Sequence, residues 1–163
     1  MGNAYRINHG LEPGQYRLED VFTDIRTYDI LSAIFADAKE ISGVMENIKV
    51  IMVDEPNEMF VDNNDGTIYI SLKYLRCCPE EILYLDIIHE LCHVKQHLQG
   101  RNLYDERVAY VDRETEIEAY QVTVREARRI GLNDAAISNY LRVAWITPEE
   151  HKRLARRLNV ITC

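Results

Sequence analysis

His89-Glu90-Leu91-Cys92-His93 has the HExxH pattern, and this stretch decides how the rest of the 163-residue chain is interpreted. On an α-helix, residues four apart are separated by about 6 Å along the axis and lie on the same face. Two neutral imidazoles at this spacing can bind one Zn²⁺ ion. Glu90 follows the first histidine, where its carboxylate can act as a general base towards water at the metal. The motif therefore predicts a site for one zinc ion per chain if it lies on a helix.

The residues around the motif favour a buried helix. Pro79 suits a first helical turn, and acidic Glu80 and Glu81 suit the positive end of the helix dipole. No residue that breaks helices follows before Gly100, which is typical of a C-terminal cap. Apolar side chains surround the predicted helix on nearly all sides, which indicates burial. Since burying two histidines and a glutamate is costly unless they are paired or bound to metal, we prefer a metal site to an accidental match.

A catalytic zinc site needs a third protein ligand. His97 is excluded because it lies about 12 Å along the helix from His89. The extended pattern HExxHxxGxxH is also excluded, since this chain has Gln96 and Gln99 where that pattern has glycine and histidine. The remaining candidates are the carboxylates of segment 112–121, DRETEIEAYQ, on a later predicted helix.

This combination of HExxH and a downstream E-x-x-A motif, Glu116 to Ala119, resembles the gluzincin branch of zinc metallopeptidases, and most closely the small minigluzincins. The resemblance implies that Glu116 is the third zinc ligand beside His89 and His93. It also implies that Glu90 is the general base of a zinc-dependent endopeptidase that hydrolyses peptide or protein substrates.

Three residues near Glu116 need separate interpretation. The gluzincins often have an aspartate four residues after the ligand glutamate, whereas this chain has Tyr120. We expect the Tyr120 hydroxyl to orient one of the zinc-binding histidines instead. Glu114 and Glu118 should point away from Glu116 on the same helix, and we expect both to be acids on the surface.

The order of predicted elements indicates an α+β, zincin-like fold. A small antiparallel sheet of about three strands would pack on the active-site helix and be followed by further helices. We predict a helix over about 24–42 that ends at Gly43, strands over 48–53, 59–61 and 67–71, and helices over about 104–130, 133–144 and 148–159. The whole chain, 1–163, is interpreted as one domain with a core of about 24–130 and C-terminal helices over 133–159.

Substrate binding is predicted at the strand that precedes the zinc helix. In the gluzincins, this strand lies at the edge of the cleft, and an extended substrate adds to it by backbone hydrogen bonds. The candidate residues here are Thr67, Ile68, Tyr69, Ile70 and Ser71. An ordinary hairpin strand is the alternative interpretation. Five residues remain candidates for a second group that stabilises the oxyanion: Tyr104, Tyr110, Tyr120, Tyr140 and His151.

Composition excludes several classes of function. The formal net charge of −8 argues against a nucleic-acid partner. No 18-residue apolar run is present, so we expect no membrane-embedded protease, and the absence of an apolar leader predicts a cytoplasmic protein. A deformylase-like site would need a cysteine ligand, but Cys77 and Cys78 lack the Glu-Gly-Cys context of that family.

Three alternatives to an endopeptidase remain open. The chain could be a zinc hydrolase of another amide. It could also be a regulatory protein that binds metal without turnover, although a buried base such as Glu90 would then have no use. Finally, the enzyme could be latent, with its C-terminal tail over the cleft and Cys163 in the open zinc position.

Overall fold

The computed structural model describes residues 5–56 and 58–162, which form eight α-helices, two 3-10 turns and a four-stranded mixed sheet. The strands are β1 (Gly14–Arg17), β2 (Lys49–Val53), β3 (Met59–Val61) and β4 (Ile68–Ser71). The helices are α1 (Leu18–Val21), α2 (Leu31–Ile34), α3 (Ala38–Asn47), α4 (Leu72–Cys77), α5 (Glu80–Leu98), α6 (Glu114–Arg129), α7 (Asp134–Tyr140) and α8 (Pro148–Arg157). The mixed α and β content agrees with the predicted class.

The sheet differs from the three antiparallel strands that we predicted. Its order is β1-β2-β4-β3, and β2 and β4 run parallel with Val50 opposite Ile68. The strand β1 was not predicted, because its largely exposed sequence, GQYR, carries no alternating apolar pattern. The strand order also escaped prediction, since alternation identifies strands but not their neighbours. Ile68 and Ile70 are fully buried, as expected for an interior strand.

The predicted turn between β3 and β4 is confirmed. The Gly66 amide donates to the Asp62 carbonyl, and the Asp62 amide donates to the Thr67 carbonyl, both at 2.8 Å. Gly66 has a φ of +79°, a conformation that glycine adopts at little cost. The turn fixes the β3–β4 register, in which Phe60 lies opposite Tyr69.

The single helix predicted over 24–42 is wrong. This region contains a 3-10 turn, Ile25–Thr27, followed by α2 and α3. The Asp37 side chain accepts a hydrogen bond from the Glu40 amide at 2.8 Å and so begins α3 as an N-cap. Gly43 lies inside α3 instead of ending a helix. An apolar stripe can persist across such breaks because it reports burial rather than helix continuity.

The long helix predicted over 104–130 begins ten residues later, at Glu114. Polar side chains before it bond to nearby backbone amides: Asn102 accepts from the Tyr104 amide, and Asp105 accepts from the Arg107 amide. Such local bonds compete with helix formation. The short helix α4, capped by Ser71, was also not predicted.

The helix predicted to carry HExxH is confirmed as α5, a helix of 19 residues with Glu80 and Glu81 in its first turn. Most of its side chains are buried, and α6 packs along it. The last two predicted helices are confirmed as α7 and α8. Thr147 and Glu150 form the capping box of α8.

Candidate metal centre

The centre is built where α5 and α6 pack together. His89, Glu90 and His93 lie on α5, while Glu116 lies in the first turn of α6. These side chains are 6%, 7%, 2% and 2% exposed, respectively. The structure therefore buries four ionisable groups together, which is costly unless they neutralise one another or bind an ion.

Three ligand atoms converge in this region. His89 Nε2 lies 3.1 Å from Glu116 Oε2 and 3.1 Å from His93 Nε2, and His93 Nε2 lies 3.4 Å from the same carboxylate oxygen. Ligand atoms about 2.0–2.2 Å from a tetrahedral ion are separated by about 3.3–3.6 Å. The three observed distances are close to this range. The buried group His89, His93 and Glu116 could therefore hold one metal ion.

Gln96 orients His93 through the ring nitrogen Nδ1, which does not face Glu116. His93 Nδ1 lies 2.8 Å from Gln96 Oε1, while Gln96 Nε2 donates to the Thr115 carbonyl and to Glu118 Oε2. Since both of those partners only accept, the amide oxygen must face His93, and Nδ1–H must donate to it. In the neutral ring that metal binding requires, the proton then stays on Nδ1 and the lone pair of Nε2 is free for a metal ion.

His89 is held differently. Its Nδ1 atom is buried without a hydrogen-bond partner, and the Tyr120 ring packs on the imidazole with centroids 4.3 Å apart. The Tyr120 hydroxyl lies 2.8 Å from the Tyr110 hydroxyl. Tyr120 therefore contacts His89, one of the two histidines that we expected it to orient, but it does so through its ring rather than through a hydrogen bond from its hydroxyl.

The charges of the site are strongly coupled. Burial raises the pKa of Glu116, but hydrogen bonds from His89 and His93 outweigh it and hold that pKa well below its usual range. Burial lowers the pKa of His93, but Glu116 outweighs it and raises that pKa to about 9. Burial lowers the pKa of His89. Glu116 is thus ionised and ready to bind a cation.

Glu90 lies beside this group and is not part of it. Its Oε2 atom is buried without a hydrogen-bond partner. Burial raises the pKa of Glu90 to about 8, so its carboxyl group exchanges a proton near neutral pH.

A cavity of about 450 Å³ opens beside these residues. Its floor is the face of α5 that carries Asp86, His89 and Glu90. One wall is β3 with the preceding Glu58, and the other runs from α7 to Trp145. The helix α7 and the loop that follows it therefore build one side of the cleft, a role that the sequence did not reveal.

The predicted substrate strand requires correction. Residues 68–71 form β4, which is paired with β2 on one side and with β3 on the other, and Thr67 is buried in the preceding turn. No edge of β4 is free to accept a further strand. The edge strand at the cavity is β3 instead. The sequence misplaced it because the parallel pairing of β2 and β4 was not foreseen.

Four of the five candidate oxyanion residues line the cavity: Tyr104, Tyr110, Tyr120 and Tyr140. His151 does not, because it is buried against α7 with Nε2 2.7 Å from the Ser138 carbonyl. The Tyr104 hydroxyl donates to the Val61 carbonyl, and the Tyr140 hydroxyl donates to Asp86. The Tyr120 ring contacts His89, and the Tyr120 hydroxyl pairs with that of Tyr110.

The two acids that flank Glu116 on α6, Glu114 and Glu118, behave as surface residues. Glu114 pairs with Arg157 at 3.2 Å, and Glu118 pairs with Arg101. Glu118 has the additional contact with Gln96 that sequence reasoning missed. Within the described ranges, no cysteine joins the metal-binding group. Cys163 lies outside the described residues.

Comparisons of the chain with protein-family models, curated proteins and solved structures find no match. Within residues 5–56 and 58–162, no helix is long and apolar enough to cross a membrane. The function is therefore argued from the site itself.

Proposed function

We propose that the protein is a zinc-dependent endopeptidase of the gluzincin type. The observation that carries the proposal is the convergence of His89, His93 and Glu116 beside Glu90, whose buried Oε2 atom has no partner. Three protein ligands with one position left open are typical of catalytic zinc sites, whereas structural sites use four.

The choice of zinc rests on the donor set. Two imidazoles and one carboxylate at tetrahedral spacing suit Zn²⁺ better than Mg²⁺ or Ca²⁺, which prefer six or more oxygen ligands. A zinc ion in this site supplies Lewis-acid chemistry that acidifies a water molecule and polarises a carbonyl group.

The chain's own residues supply the proton transfers. Glu90 lines the cavity, and its carboxylate would accept the proton of the attacking water and then donate it to the leaving amide nitrogen. A pKa near neutrality suits both steps. The Tyr110 and Tyr120 hydroxyls are the candidates to donate a hydrogen bond to the oxyanion of the tetrahedral intermediate.

The cleft also suits an extended peptide. The edge strand β3 lines the cavity, and the Phe60 side chain is exposed there. A substrate backbone can pair with such an edge, which aligns the scissile bond with the floor of the cavity. Pairing would stop near Val61, because its carbonyl already accepts from the Tyr104 hydroxyl.

The proposal is tested by casein cleavage with the zinc-loaded protein. Glu90→Gln should lower the cleavage rate by about 10²–10⁴-fold, because the general base is lost. The control is Glu81→Gln, an exposed acid in the first turn of α5, which should cleave as the wild type does.

Zinc binding without cleavage of casein or of a broad peptide library would contradict the proposal. It would favour a metal-binding regulatory protein. Cleavage confined to other amides would favour the alternative of a different zinc hydrolase.

A further inference from the structure

The cavity contains a second acidic group that the proposed mechanism does not use. Asp86 lies on α5 one turn before His89 and Glu90, at an axial distance of about 4.5–6 Å from them, and it lines the same cavity. Its side chain is partly accessible from the cavity. The position is therefore within reach of a substrate residue next to the scissile bond.

The two oxygens of Asp86 are held in fixed positions. Oδ1 accepts from the Tyr140 hydroxyl at 2.9 Å, and Oδ2 accepts from the Tyr74 hydroxyl. Both donors are neutral, and each carboxylate oxygen can accept a second hydrogen bond. Tyr74 and Tyr140 also line the cavity. We call Asp86 and these two hydrogen-bond donors the Asp86 subsite.

The subsite has no positive charge of its own. In the part of the chain that the structure describes, no lysine, arginine or histidine forms an ion pair with Asp86. Glu58, on the β3 side of the cavity, adds a second negative charge that acts on Asp86. Arg142 at the opposite wall is exposed to solvent.

The walls between these charges are apolar. Ile82, one turn before Asp86, and Met59, at the start of β3, line the cavity beside the carboxylate. A side chain with an aliphatic stem and a terminal cation satisfies both features, because the stem packs on the walls while the cation meets the acid. A neutral or acidic side chain would leave the charge of Asp86 uncompensated.

We propose that Asp86 is a specificity-determining residue that selects substrates with lysine or arginine next to the scissile bond. This inference rests on the proposed peptidase function and names its substrate class. Tyr74 and Tyr140 are positioning residues, since their hydroxyls hold the carboxylate in the cavity.

The test uses the full-length, zinc-loaded protein and quenched fluorescent peptides that differ at one position beside the scissile bond. Arginine is compared with citrulline, which has nearly the same shape without the charge, and lysine is compared with norleucine. We expect kcat/KM to favour the cationic peptides by about 10- to 100-fold, the range for a hydrogen bond to a charged group.

Variants separate charge from shape. Asp86→Asn keeps the size of the side chain and should bring the arginine-to-citrulline ratio close to one. Asp86→Glu keeps the charge and should retain a preference for arginine. Glu81→Gln, on the same helix but outside the cavity, should leave the ratio unchanged. Thermal unfolding of each variant verifies that it is folded.

A second readout does not need turnover. Fluorescence anisotropy measures binding of the same labelled peptides to Glu90→Gln and to the double variant Glu90→Gln/Asp86→Asn. The single variant should bind the arginine peptide more tightly than the citrulline peptide, and the double variant should not.

The outcomes distinguish the two proposals. Cleavage without preference for arginine over citrulline would overturn the Asp86 subsite and leave the peptidase proposal intact. No cleavage of any peptide would overturn the peptidase proposal, and the binding comparison would then decide the subsite alone. Equal binding of the arginine and citrulline peptides would overturn the Asp86 subsite.

Discussion

Gln96 shows how one side chain outside the ligand set can determine whether a metal binds. Its amide oxygen accepts from His93 Nδ1, and its amide nitrogen donates to the Thr115 carbonyl and Glu118. These bonds fix the ring orientation of His93 and keep a proton on its Nδ1 atom. The residue also links α5 to the first turn of α6, which carries Glu116.

We predict that Gln96→Ala lowers zinc affinity by about 10–100-fold while the fold is retained. The loss follows because His93 would rotate and populate the tautomer with a proton on Nε2. Competition with a chromogenic chelator measures the affinity. Gln99→Ala, three residues further along in an exposed position, is the matched control. Equal zinc affinity of the two variants would contradict the role of Gln96.

Asp86 gives the stability of the protein a particular pH dependence. Burial raises its pKa from 3.8 to about 6, so the folded state holds this proton more tightly than the unfolded chain does. The contribution of Asp86 to stability is therefore full below about pH 4 and is lost as the pH rises through about 6.

We expect Asp86→Asn to remove the fall in the free energy of unfolding that accompanies ionisation of Asp86. Relative to wild type, the free energy of unfolding of the variant should rise by about 3 kcal/mol between pH 4 and pH 7.5. Urea unfolding of both metal-free proteins at the two pH values measures the difference. A difference that does not change with pH would show that Asp86 titrates normally.

At the scale of the elements, two glycines have opposite roles. Gly43 lies inside α3, and a Cβ atom there would have no neighbour within 4 Å. Gly66 closes the β3–β4 turn with a φ of +79°, and a Cβ atom there would lie 2.8 Å from His97 Cδ2.

The alanine substitutions should therefore shift stability in opposite directions. We expect Gly43→Ala to raise the free energy of unfolding by about 0.5–1 kcal/mol. Gly66→Ala should lower it by about 1–2 kcal/mol, because alanine is strained in the left-handed region and meets the His97 ring. Chemical denaturation of the pair provides the measurement, and effects of the same sign would contradict this account of the turn.

The elements also differ in how well the sequence predicts them. The helix α5 was predictable because its apolar residues, acidic start and glycine end all agree. The region before Glu114 was not, because Asn102 and Asp105 bond locally to backbone amides and the apolar pattern does not register such bonds. Strand order depends on contacts between distant segments, so β3 could not be recognised as the edge strand.

The candidate site was also predicted only in part, because contacts between distant segments are not visible in the sequence. The spacing of HExxH was sufficient to bring His89, Glu90 and His93 to one face. Glu116 was chosen by resemblance, and the structure brings its carboxylate to both histidines. Gln96 and Asp86 were missed, although their spacing of three residues from His93 and His89 placed each on the face of a predicted ligand.

At the scale of the whole molecule, the C-terminal segment from α7 to Trp145 forms one side of the cleft. The last described residues of the chain contact the start of α7 and the end of α6: the Ile161 amide donates to Asp134, and Arg128 donates to the Asn159 carbonyl. Arg128 is about 18 Å along α6 from Glu116. Asn159 therefore lies near the end of α6 that is distant from Glu116, and we expect the residues after Leu158 to leave the cleft open; Cys163 lies outside the described residues.

A chain that ends at Leu158 should accordingly cleave casein no faster than the full chain. Its stability should fall, because Val160 is buried. Cleavage rates at a temperature where both forms are folded provide the test. A marked increase in the cleavage rate on truncation would contradict this prediction and support the hypothesis of a latent enzyme.

Metal content tests the central claim most directly. Elemental analysis of the purified wild type, of Glu116→Ala and of the surface control Glu114→Ala should find one zinc per chain in the first and the last, and little in Glu116→Ala. Absence of zinc from the wild type, or its full retention in Glu116→Ala, would contradict a zinc site formed by His89, His93 and Glu116.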